Sequence, residues 1–129
     1  MTATLLALAL LAGALGLPES PPAAATAFVD AIEAGDAAAA RTPLAPAVRL
    51  VDARGDDTPP TLEALGAYVR GCERMEIAWR VIDDMPGHGD VALRYECPSR
   101  GAAHLFIRAS EAQVLLVRWG PPAEGDEER

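Results

Sequence analysis

The chain has no lysine: all eleven of its basic side chains are arginine, against nineteen aspartates and glutamates, giving a formal charge of −8 over 129 residues. Without a side-chain amine there is no Schiff-base nucleophile and no P-loop lysine. The acidic balance also argues against nucleic acid as a partner, because binding a phosphate backbone relies on a basic patch. Histidine and cysteine are equally scarce, two of each. A chain of this length has room for one hydrophobic core and not for two. No cofactor and no metal are expected.

The segment Thr2 to Leu17 carries no charge and runs apolar up to Ala12-Gly13-Ala14, a small-x-small pattern. This reads as a signal peptide over residues 1–17, with a mature chain beginning near Leu15. The competing readings are a retained anchor and a buried core helix. A spanning helix needs about twenty apolar residues, and Pro18, Glu19, Pro21 and Pro22 stop the run first. The expected localisation is therefore secreted or periplasmic, with no membrane contact after cleavage. In that compartment Cys72 and Cys97 are expected to form a disulfide rather than a metal pair or a catalytic thiol.

Residues 21–120 read as one α+β domain, and residues 121–129 as a disordered acidic tail. Ser20 offers an N-cap before two prolines, and Ala25, Phe28, Val29 and Ile32 recur at helical spacing to about residue 34. Gly35 provides a residue tolerant of positive φ, Asp36 caps a second short helix over 37–42, and a strand follows over 47–53. Leu62, Leu65, Val69 and Cys72 then form the apolar stripe of a third helix.

Four strands complete the domain. Met75, Ile77, Trp79 and Val81 alternate with Glu76, Ala78 and Arg80, and Val91, Leu93, Tyr95 and Cys97 alternate with Ala92, Arg94 and Glu96. The two runs make a hairpin with one apolar face. The strands over 102–109 and 113–119 are largely apolar on both faces. Arg80, Arg94 and Arg118 sit on the outward parity, where Glu76 and Glu96 are the ordinary partners. The turn holding Asp83, Asp84, His88 and Asp90 gathers metal-type donors, but its proline and two glycines mark a solvated reversal.

This order of elements, with the segment Phe28-Val29-Asp30-Ala31-Ile32-Glu33-Ala34-Gly35-Asp36, resembles the nuclear transport factor 2-like superfamily, in its ketosteroid isomerase-like and SnoaL-like branches. The resemblance implies a cone-shaped curved antiparallel sheet packed against three N-terminal helices, with a pocket at the open end and an outer face that pairs in dimers. It places Phe28 where the isomerase-like members have a tyrosine donor. It places the base at Asp52, or at its neighbour Val51, and the acid at His104.

Phe28 has no hydroxyl and cannot donate to an oxyanion. Asp52 and His104 are thus the candidate catalytic pair of an isomerase, cyclase or dehydratase. The competing reading leaves Asp52 at a strand end in solvent and His104 hydrogen-bonded in the sheet.

The candidate ligand pocket comprises Phe28, Trp79, Tyr95, His104, Phe106, Val117 and Trp119, although inward aromatics such as Trp79, Tyr95 and Trp119 are in most small domains core. The leading functional reading is an exported, non-catalytic binding or accessory domain for a small apolar ligand. The alternatives are the enzyme and a protein-interaction module. A homodimer through the outer sheet face is expected to use Leu105, Ile107, Val114 and Leu116.

Overall fold

A computed structural model of the chain describes residues 20–54, 59–98 and 100–121. Residues 1–17, read from the sequence as a signal peptide, and the tail beyond residue 121 lie outside the described residues. The elements run α1 (Ala23–Glu33), α2 (Ala37–Arg41), β1 (Leu44–Asp52), α3 (Leu62–Val69), β2 (Glu73–Val81), β3 (His88–Cys97), β4 (Gly101–Ser110) and β5 (Val114–Trp119). Among the described residues no helix is long and apolar enough to cross a membrane.

The helix ends follow local chemistry. Asp36 accepts the amide of Ala39 at 3.0 Å and Thr61 accepts that of Ala64 at 3.0 Å, so α2 and α3 are capped from within. The start of α1 is different. Its N-cap position is Pro22, and the carboxylate and carbonyl of Glu111 in the β4–β5 turn accept the Ala23 and Ala24 amides. Ser20 is therefore not the cap; a long-range acidic residue supplies it.

The strands form one open sheet in the order β1-β5-β4-β3-β2. β2 to β5 are antiparallel in sequence, but β1 lies parallel to β5. The fold class stands, and the purely antiparallel sheet is corrected to a mixed one. The connection through α3 carries the chain from one edge of the sheet to the other, which leaves β1 to pair with the last strand. Pro46, which has no amide to donate, is tolerated inside β1 because that strand is an edge.

All three helices cover one face. Phe28 and Ile32 of α1 and Leu65 and Val69 of α3 meet Val91, Leu93, Tyr95, Leu105, Ile107, Val117 and Trp119, all buried. Fully burying one such side chain contributes about 1.5–3 kcal/mol, so this row is the main source of stability. The Cys72–Cys97 disulfide forms, with Cα atoms 4.2 Å apart, below the ~7 Å limit for bridging. It ties the residue just beyond α3 to the end of β3.

Two face assignments are corrected here. In β4 the buried row is Ala103, Leu105, Ile107 and Ala109, while His104 and Phe106 lie half-buried on the outer face. Register settles this, since His104 stands opposite Arg94 and Phe106 opposite Ala92, whereas Leu105 stands opposite Leu93. The proposed dimer surface inverts with it: Leu105, Ile107 and Val114 are under the helices, and of the four only Leu116 faces outward, opposite Arg108.

The second correction concerns β2. Met75, Ile77 and Val81 are 43–49% exposed and Trp79 is half-buried. The helix layer stops short of this edge strand.

Candidate functional site

β1 ends at Asp52, whose parallel partner in β5 is Trp119. Both side chains point to the helix side, and the Asp52 side chain is only 3% exposed. Arg54, two residues on, folds back over it. The backbone N–H of Arg54 donates to Oδ1 at 3.0 Å, its Nε to Oδ1 at 2.9 Å, and its Nη2 to Oδ2 at 2.6 Å. The guanidinium bonds, helped by the Arg54 amide, outweigh burial and hold the Asp52 carboxyl below the usual carboxylate range. Trp119 Nε1 is buried without a hydrogen bond of good geometry, although its N–H adds a weak pull on the same carboxylate.

Tyr68 of α3 organises the neighbourhood. The Arg54 guanidinium lies 5.1 Å from its ring centre and that of Arg100 lies 5.6 Å away. Arg100 also donates to the Tyr68 carbonyl and, at 3.4 Å, to Cys72 Sγ. The Tyr68 hydroxyl accepts the His104 backbone N–H at 3.1 Å. Gly120, at φ 122°, fits where a Cβ would come within 2.9 Å of the Ala53 and Arg54 backbone. This close approach seats the Arg54 turn against the end of β5, where the Ala53 N–H donates to the Trp119 carbonyl at 2.7 Å.

The candidate catalytic pair is not brought together. Asp52 faces the helices and is occupied by arginine, while the His104 side chain stands on the opposite face of the sheet. A base and an acid that serve one substrate must open onto the same site, and these two lie on opposite faces of the sheet. Of the seven pocket residues named from the sequence, Phe28, Tyr95, Val117 and Trp119 are packed in the core, Trp79 is half-buried at the β2 edge, and His104 and Phe106 are on the other face.

The Tyr95 hydroxyl donates to Glu33 Oε2 at 2.6 Å, and Arg74 binds the same carboxylate with two bonds of 2.7 Å. Burial raises the Glu33 carboxyl, but the Arg74 and Tyr95 bonds prevail and its pKa lies below the ordinary value. Burial first, and then the bond to anionic Glu33, push the Tyr95 phenol well above its ordinary pKa.

A cavity lies elsewhere among the described residues, between the α1–α2 corner and α3. It encloses about 320 Å³, within the lower range of small-molecule sites. Ile32, Leu62 and Val69 supply its apolar wall, and Glu33, Asp36 and Glu63 its acidic rim. Gly66 borders it with open space where a side chain would project. Glu63 pairs with Arg41 at 2.7 Å. The sequence signal for this site is its glycines: Gly35, Gly66 and Gly71 line one cleft and keep it empty of side chains. Tyr68 was missed, although it sits between Leu65 and Val69 on the buried side of α3.

Near the start of β3, Asp90 is buried and bound by its cross-strand partner Arg108 at 2.8 and 3.1 Å. His88 Nδ1 lies 3.0 Å from the Pro86 carbonyl. Among the described residues no group of three or more His, Cys, Asp and Glu side chains is placed to hold a metal ion. On the outer face Arg94 pairs with Glu76 at 3.4 Å and Glu96 at 3.7 Å, as the alternation indicates.

No family model matches the sequence, and no curated protein matches it. Solved structures do. A protein from Kribbella flavida DSM 17836 superposes with a TM-score of 0.54 at 11% identity, over 86% of this chain and 93% of that one. Rd1NTF2_05 with long sheet gives 0.52 at 18% identity, over 81% and 100%. A protein from Sphaerobacter thermophilus gives 0.52 at 11% identity, over 75% and 91%. At these identities the likeness is one of fold.

Proposed function

We propose that this chain, whose fold is that of the nuclear transport factor 2-like proteins, is a non-catalytic binding domain that holds a small ligand between α1–α2 and α3. The observation that carries this reading is the placement of space. Among the described residues Phe28, Tyr95 and Trp119 are fully buried between the helices and the sheet, and a cavity of about 320 Å³ opens in the cleft beside Gly66. The engagement of Asp52 by Arg54 supports the absence of catalysis, since a base already bonded through both oxygens has little reason to leave its partner.

The cleft suits a ligand with an apolar body against Ile32, Leu62 and Val69 and a polar group at the acidic rim. The disulfide supports an oxidising compartment, and we propose that the domain acts after export. Native mass spectrometry of protein purified from its own host tests the reading. A Gly66→Phe substitution fills the cleft from an open position on α3. A bound mass on the wild type that is lost from Gly66→Phe supports the cleft. A mass retained by the variant, or turnover of a β,γ-unsaturated ketone abolished by Asp52→Asn, overturns the proposal.

A further inference from the structure

We propose that β2 is a self-pairing edge, joining β2 of a second copy antiparallel about a two-fold axis through Ala78. The strand ends the sheet, spans nine residues and contains no proline; its bulge is confined to one end, between Arg74 and Glu76, and beyond it the charges Glu76 and Arg80 are of opposite sign. The large apolar side chains left exposed in the described residues, Met75, Ile77 and Val81, all belong to it. An edge of this kind is a template for another strand.

The sequence of the strand selects both the occupant and the register. With the axis at Ala78, Ile77 of one copy faces Trp79 of the other on the helix side, and the reverse pair repeats it. Met75, at the strand's bulge, approaches Val81 at each end. On the outer face Glu76 faces Arg80, again twice. Opposite charges directly across two strands are stabilising and like charges destabilising. Moving the axis to Ile77 sets Glu76 against Ala78, and moving it to Trp79 sets Arg80 against Ala78, so either shift loses both charge pairs.

Within one copy these charges are loosely engaged: Glu76 is 3.4 Å from Arg94, Arg80 is 3.8 Å from Asp90, and the Glu76 and Arg80 side chains are 66% and 75% exposed. The main chain agrees. Ile82 N–H donates to the His88 carbonyl, and antiparallel alternation then turns the peptide groups of Arg80 and Ala78 toward β3 and those of Ile77 and Trp79 outward. In the proposed register Ile77 and Trp79 form the hydrogen-bonded pairs between copies. Ala78 faces its own equivalent in the closer, non-hydrogen-bonded pair.

Sedimentation equilibrium up to millimolar concentration, at physiological ionic strength, tests this with charge-swapped variants whose folding is checked by thermal unfolding. The wild type is expected to show a monomer–dimer equilibrium. Glu76→Arg and Arg80→Glu each place like charges across the axis and should weaken it about tenfold, while Glu76→Arg with Arg80→Glu should restore it. Mild oxidation should cross-link Ala78→Cys between copies and leave Ala92→Cys, exposed on the neighbouring strand, uncoupled. A wild type that stays monomeric throughout, a double variant that does not recover, or equal cross-linking at both positions would overturn the proposal.

Discussion

β2 and β3 carry the same alternation and meet different fates. In β3 the apolar row Val91, Leu93, Tyr95 and Cys97 is buried, whereas in β2 Ile77 and Val81 of the matching row are exposed. The strands are hydrogen-bonded neighbours with Ile77 opposite Leu93 and Trp79 opposite Val91, so their apolar side chains share one face. What separates them is cover: α1 lies over the middle of the sheet and the helix layer ends before its edge. A period of two specifies a face. It does not specify that anything is packed on that face.

A pair of truncations followed by denaturant unfolding distinguishes the covered strand from the uncovered one. Leu93→Ala should cost about 2–5 kcal/mol, and Ile77→Ala, in an exposed position, under about 0.5 kcal/mol. Comparable losses would mean that the edge is covered as well as the centre. Next in size is the tie at the end of β3. Replacing both Cys72 and Cys97 by serine should lower stability by about 3 kcal/mol, because the bridge closes a 25-residue separation.

The end of β5 offers a smaller effect. Gly120→Ala sets a Cβ against the Ala53 and Arg54 backbone at a positive φ, and should cost about 1–3 kcal/mol. Acid unfolding reads the smallest. The Asp52 pKa is lowered on folding, so its contribution is complete above the unfolded value near 4 and disappears as pH falls through the folded value. Asp52→Asn should therefore destabilise the domain at neutral pH and converge with the wild type in acid. An equal difference at all pH values would show that the Arg54 contact carries no charge-dependent energy.

Much of the fold was legible because its elements punctuate themselves. Gly35-Asp36, the prolines and the alternation in β2 and β3 located the elements to within a few residues. β4 was not legible in the same way. Both of its rows look apolar, so alternation alone does not separate His104 and Phe106 from the inner row. The discriminating residue is Arg108, which shares their parity and ends on the outer face bound to Asp90. In β5, Arg118 marks the outer row likewise, opposite Phe106.

The Asp52 cluster was half legible. Asp52 is visible in the sequence and Arg54 stands two residues from it, but Tyr68 of α3 and Arg100 of the β3–β4 turn join them only through the tertiary fold. The helix cleft is defined by absent side chains, and periodicity arguments weigh only those present.

The filled sheet and the empty helix cleft make opposite predictions for one experiment, an amide and indole chemical-shift titration of the labelled protein with a small-molecule extract of its host. With the ligand in the helix cleft, the amides of Ala34, Gly35 and Gly66 are expected to move while the Trp119 indole N–H stays fixed. Movement of the Trp119 indole with Gly66 unmoved, or no movement at any of these sites, would contradict that placement.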